Sequence, residues 1–171
     1  MLYLEQTRKK NDEDLPKIYC DMDEVLCNFM KGASKASGAP FAAVEKEKRW
    51  EDIRNTKDFW ANLEWMPGAE RLYRYINKYD LNILSAASTR DPNSKPGKRK
   101  WLKKHTNLQP SKINLVLRAQ KRDFATTPNG KPNVLIDDYI KNINEWERAG
   151  GIGIHHTSVG NTIAQLKRLG Y

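Results

Sequence analysis

Four carboxylates, a serine and several lysines are placed so that one fold could gather them around a metal ion. Asp21 and Asp23 follow the β-prone run Lys17-Ile-Tyr-Cys20, Ser85 ends Leu81-Asn-Ile-Leu84, and Asp137-Asp138 end Val134-Leu-Ile136. Carboxylates crowded at one spot repel each other unless neutralised, so several acids at neighbouring strand ends point to a cation. An all-oxygen donor set favours Mg²⁺ over zinc or copper. A single Asp-x-Asp pair also reads as a helix cap. It is the set, in chain order and each at a strand end, that carries the chemistry.

The elements that must position these groups alternate. Strands are predicted at Lys17–Asp21, Leu81–Ser85, Ile113–Leu117, Asn133–Asp137 and Gly151–Ile154. Helices are predicted at Glu24–Ser37, Pro67–Tyr79, Lys95–His105, Tyr139–Ala149 and Asn161–Leu169, from apolar residues at helical spacing. Strands separated by helices imply a parallel sheet, because parallel neighbours need a crossover, and short apolar strands imply helices on both faces. Ligands of open α/β sheets bind beyond the carboxyl ends of the strands, where the acids stand.

Composition narrows the rest. The 171 residues suit one domain, and no apolar stretch approaches the ~20 residues a bilayer span needs. Cys20 and Cys27 form no disulfide framework and, with three histidines, no zinc spacing, so free thiols are expected. These features predict a soluble, cytoplasmic protein with no membrane partner. Thirty lysines and arginines against 21 acids give a net charge of +9, which attracts phosphorylated molecules or nucleic acid.

The segment Asp21-Met-Asp-Glu-Val25 resembles the first motif of haloacid dehalogenase-like phosphotransferases. Ser85 in ILSAAS resembles the second, Lys121 in RAQKRDFA the third and Asp137-Asp138 in VLIDDY the fourth. Within that superfamily the chain is most similar to the 5'(3')-deoxyribonucleotidases, through DMDEVLCNF, FWANLEWMPGAERL, Lys98-Arg-Lys-Trp-Leu102 and LIDDYIKNINEW, over about residues 17 to 155. The resemblance implies a Rossmann-like core over 17–30 and 67–171, a small helical cap over 31–66 after the first strand, and an N-terminal extension over 1–16.

It also implies roles. Asp21 would be the nucleophile that becomes an aspartyl-phosphate, and Asp23 the acid and then the base. Mg²⁺ would sit among Asp21, the main-chain carbonyl of Asp23, and Asp138. Ser85, Lys121 and Lys98 would contact phosphate, Asp137 would orient Lys121, and Phe29 and Trp50 would line a base pocket. The implied activity is Mg²⁺-dependent hydrolysis of (deoxy)nucleoside monophosphates. The alternatives are a phosphatase of nucleic-acid ends, which the charge favours, and a silent binding module, which the retained aspartates disfavour.

Two departures stand out. Glu24 occupies a position where the family usually has glycine, and it could point to solvent or intrude into the site. Ala86-Ala87 follow Ser85 where the family has Ser-Pro. Lys112 competes with Lys121 for the third-motif role. Phe59, Trp60 and Trp65 are expected in the core, and Lys95–Lys104 as a solvated helix face apart from Lys98.

Overall fold

The computed structural model describes residues 14–171. Of the N-terminal extension expected over 1–16, residues 1–13 therefore lie outside the described residues.

Five parallel strands form one sheet in the order β3-β2-β1-β4-β5. They are β1 (Ile18–Cys20), β2 (Leu81–Ala86), β3 (Ile113–Val116), β4 (Val134–Asp137) and β5 (Ile152–His155). Ile18 stands opposite both Leu81 and Val134, and Cys20 opposite both Ile83 and Ile136. Among the described residues six α-helices accompany the strands: α1 (Phe29–Ser37), α2 (Lys46–Asn55), α3 (Ala69–Ile76), α4 (Ser94–His105), α5 (Ile140–Arg148) and α6 (Val159–Leu169). No helix among the described residues is long and apolar enough to cross a membrane. The expected α/β sheet with a helical insertion after its first strand is the fold observed.

Period-two alternation divides the core between the two faces of the sheet. Ile18, Cys20, Ile83, Val134 and Ile136 face Leu72 and Ile76 of α3, Leu102 of α4 and Leu166 of α6. Tyr19, Leu84 and Leu135 point the other way, onto Ile143 and Trp146 of α5. The chain runs outward from β1 through β2 to β3, then returns to β4 on the other side of β1. That reversal opens a crevice at the carboxyl ends of β1 and β4, where Asp21 and Asp137 sit.

The helix predicted from Glu24 begins instead at Phe29. Residues 22–28 form a tight loop in which the Met22 carbonyl accepts from the N–H groups of Val25, Leu26 and Cys27. Its far side is tied to the end of the insertion, with Asn28 N–H donating to the Glu64 carbonyl (2.8 Å) and Met66 N–H to the Leu26 carbonyl (2.7 Å). Both ends of the insertion are thus fixed at the carboxyl end of β1. The helix predicted to reach Tyr79 ends at Ile76, because the chain tightens into a turn with Tyr79 N–H on the Ile76 carbonyl.

Inside the insertion an aromatic cluster packs alongside the buried Ala33, Ile53 and Leu63. Phe29 touches Phe41, Trp50, Phe59 and Trp60, stacking on Trp60 with centroids 5.5 Å apart. Three polar links join it to the loop after β2: Trp60 Nε1 donates to Asp91 (2.7 Å), Arg90 pairs with Glu47 (2.8 Å) and Arg54 donates to the Arg90 carbonyl (3.1 Å). Trp65 packs on Trp101 and Tyr73, as the core assignment expects.

Candidate active site

Strand ends and the loops after them bring two lysine-centred clusters together. In the first, Lys121 lies 3.1 Å from Asp21 Oδ1 and 2.7 Å from Asp137 Oδ2. Lys121 comes from the 3₁₀ segment Arg118–Phe124 that follows β3, and its side chain is buried. Burial alone would lower its pKa, but Asp21 and Asp137 outweigh that and hold the ammonium well above the usual lysine range. The rival Lys112 is at the opposite end of the sheet, paired with Asp80 just before β2.

Asp137 is fully engaged. Oδ2 also accepts from Asn142 Nδ2 (3.0 Å) and Oδ1 from the Tyr139 N–H (2.9 Å). Asp138, next in the chain, forms no ion pair among the described residues. Asp21, Asp137 and Asp138 each bring a carboxylate oxygen within 4.8 Å of the others, a spacing that can hold a metal ion. Three carboxylates against one lysine leave excess negative charge. Burial, then Asp21 and Asp137, push the Asp138 carboxyl up to about 8; burial and Asp21 raise Asp137 to about 6. That imbalance is what a divalent cation on Asp21 and Asp138 would relieve, so the donor set fits a hard cation.

The second cluster centres on Lys98. The turn of α4 places Ser94, Lys98, Trp101 and Leu102 on one buried face, while Lys95, Arg99 and Lys100 stay exposed. The Lys98 ammonium lies 3.0 Å from Asp23 Oδ2, 2.8 Å from Ser85 Oγ and 2.8 Å from the Ala86 carbonyl, over the Trp60 ring at 5.2 Å. Desolvation raises the Asp23 pKa against the opposing pull of Lys98, with Asp21 adding to the rise. The other Asp23 oxygen, Oδ1, is buried and has no hydrogen-bond partner.

An open pocket of about 420 Å³ lies against Asp23. Phe29, Trp50 and Trp60 form one wall, the Ala86–Arg90 loop another, and Lys46, Arg90 and Arg118 supply positive charge. Phe29 and Trp50, expected at a base pocket, are both there. Trp60, expected in the core, is buried yet presents a ring to this pocket, and it stacks against both Phe29 and Trp50, which also touch each other. Arg90 and Arg118 were missed: they stand on irregular segments where no periodicity marks them. Ala86-Ala87, which depart from the family, keep backbone roles, the first toward Lys98 and the second through its N–H on the Val116 carbonyl (2.8 Å).

Glu24 neither faces away nor fills the crevice. It adopts φ +62°, the left-handed region, and its Oε1 accepts the Met30 N–H at 2.7 Å in the first turn of α1. The residue therefore substitutes a carboxylate cap for the conformational freedom glycine would give. Both cysteines are free and buried, with their thiols raised well above the usual range first by desolvation.

No protein-family model matches the chain. A Vibrio phage KVP40 protein named "Putative 5'(3')-deoxyribonucleotidase" is 29% identical over 135 residues, spanning 78% of this chain and 71% of the phage protein. A solved hydrolase from Streptococcus pneumoniae TIGR4 superposes with a TM-score of 0.55 at 13% identity, covering 90% of this chain and 98% of that one. One from Pseudomonas syringae gives 0.49 at 18% identity, over 91% and 90% of the two chains. The pneumococcal protein shares the fold; the phage protein adds a distant sequence relationship. The chain thus carries a clustered-aspartate site on an α/β fold shared with the pneumococcal protein.

Proposed function

We infer that the chain is a Mg²⁺-dependent phosphomonoesterase that releases phosphate from (deoxy)nucleoside monophosphates through an aspartyl-phosphate on Asp21. The observation that carries this reading is the division of two aspartates two residues apart between different lysines, Asp21 to Lys121 and Asp23 to Lys98, beside an aromatic-walled pocket. The Asp21 side chain suits attack on phosphorus, and Lys121, held by Asp137, keeps it oriented. Asp23 suits proton transfer, because burial favours its neutral form and Oδ1 is left unengaged.

In the first half-reaction the Asp21 carboxylate forms a bond to phosphorus as the ester P–O bond breaks, and Asp23 gives the departing oxygen its proton. In the second, Asp23 takes a proton from water, whose oxygen attacks phosphorus and frees the Asp21 carboxylate. The Ser85 hydroxyl, whose oxygen accepts from Lys98, can turn its own proton toward a phosphoryl oxygen. Asp21, Asp138 and the Asp23 main-chain carbonyl would hold Mg²⁺, which when bound neutralises charge between Asp21 and a phosphate dianion. Phe29, Trp50 and Trp60 offer faces on which a base can stack.

Phosphate release from a panel of nucleoside monophosphates, with Mg²⁺ or with chelator, tests the reading. Turnover should require the metal and vanish in Asp21→Asn with the fold retained. Full metal-dependent turnover by Asp21→Asn would refute the covalent route.

A further inference from the structure

The described residues expose four large hydrophobic side chains, Met30, Leu117, Tyr139 and Ile140, each 47–52% exposed. Each stands on a segment that adjoins the residues of the crevice. Tyr139 and Ile140 directly follow Asp138. Leu117 lines the pocket that holds Asp23. Met30 gives its N–H to Glu24, the residue after Asp23. Single exposed hydrophobes need no explanation, but a group of them rimming one crevice marks a contact surface.

Cations interrupt the same rim. Arg118, next to Leu117, is held by Asn142 (3.0 Å) and Glu145 (2.8 Å), mainly through Nη1. A guanidinium has five donors, so Arg118 keeps others for an incoming anion. Tyr139 is the residue at the start of α5, the helix whose Asn142 and Glu145 hold Arg118. Arg90 lies across the pocket, paired with Glu47, and Lys46 forms no ion pair among the described residues. An aromatic wall inside, an exposed tyrosine and leucine outside, and arginines between them suit alternating bases and phosphates. The net charge of +9 favours the same partner.

We propose that the pocket takes the phosphorylated terminal nucleotide of a single nucleic-acid strand, and that the adjoining nucleotides run over Leu117, Arg118 and Tyr139. This rests on the phosphomonoesterase reading and extends it to the substrate's size. One base stacks within the Phe29–Trp50–Trp60 wall, and the Tyr139 ring receives its neighbour. Arg118, Arg90 and Lys46 neutralise the phosphates that follow.

The test measures kcat/KM with Mg²⁺ for deoxynucleoside 3'- and 5'-monophosphates and for 3'- and 5'-phosphorylated tetradeoxynucleotides, across a salt series. At least one tetranucleotide should be preferred about tenfold over its monomer, the scale of one stacked base. With three phosphates neutralised, log(kcat/KM) should fall with log salt at a slope of about −2 for the tetranucleotide, steeper than for the monomer. Tyr139→Ser should lower the tetranucleotide rate about tenfold and leave monomer turnover within twofold. Equal kcat/KM and equal salt slopes for the two lengths would overturn the proposal, as would an equal loss on both in Tyr139→Ser. A dimer in solution that Tyr139→Ser dissociates would reassign the rim to a self-interface and also overturn it. Failure of every phosphorylated compound would strike instead at the phosphomonoesterase reading.

Discussion

Glu24 offers a quantitative check on the local account of the catalytic loop. Its φ of +62° is strained for a residue with a Cβ, at a cost of about 1–2 kcal/mol. Against this stands its carboxylate cap on the Met30 N–H, 2.7 Å away at the start of α1, which contributes about 1 kcal/mol. Glu24→Ala keeps the strain and loses the cap, so stability should fall by about 1 kcal/mol, or roughly 2–4 °C in Tm for a chain of this size. Glu24→Gly loses the cap but also sheds the strain, less about 0.5–1 kcal/mol for the freer unfolded chain. It should lie within about 0.5 kcal/mol of the parent and above the alanine variant. Urea unfolding of the three proteins at one pH measures both differences. Alanine as stable as glutamate would remove the cap from the account, and glycine falling below alanine would remove the strain.

Lys98→Met should cost about 3 kcal/mol, the low end for breaking a buried pair because Asp23 is partly exposed, and lower Tm by roughly 6–12 °C; its kcat should drop at least about 10²-fold at a temperature where it remains folded. Mg²⁺ at a hundred times its Kd should raise stability by about 2.7 kcal/mol, and differential scanning fluorimetry should find that rise gone in Asp138→Asn. Trp50→Ala should reduce kcat/KM for nucleotides about tenfold and spare a small aryl phosphate, whereas equal losses would leave Trp50 a purely structural contact. His156 is buried against Thr162 Oγ1 (2.7 Å), and desolvation, then His155, depress its pKa below 6.5. A depressed folded-state value means the unfolded chain binds the extra proton first, so this contribution is complete above about pH 6.5 and is lost as pH falls through the folded pKa. Urea midpoints against pH, with an NMR titration of the His156 ring, check the sign.

The sheet and its acids were legible because local pattern and tertiary role coincide there. Ile18, Cys20, Val134 and Ile136 alternate with Tyr19 and Leu135, and each alternation ends in an aspartate at the crevice. Lys98 was singled out through the family resemblance alone; the helix places it three and four residues before Trp101 and Leu102, on the face that turns inward. The conformation of Glu24 was not. Its positive φ follows from the closure of residues 22–28 on the Met22 carbonyl and from their pairing with Glu64 and Met66, contacts that local periodicity does not encode. Trp60 lies in the core as expected and also borders the pocket, because burial and ligand access are not opposites for a large ring. Its indole N–H is anchored on Asp91 inside the fold while its ring remains part of the pocket wall.

The separation of Asp21 from Asp23 shows how a short segment gives two carboxylates different surroundings. Both side chains leave the same turn after β1. The sheet delivers Lys121 from the segment after β3 and Lys98 from the helix after β2, so each carboxylate meets its own ammonium. Asp137 then occupies the remaining reach of Lys121, and Ser85 with the Ala86 carbonyl occupies that of Lys98. Among the described residues Asp138 forms no ion pair, and one oxygen of Asp23 is buried without a hydrogen-bond partner. Those are the two places where a metal-bound phosphate ester would have to be met, by charge at the first and by a proton at the second.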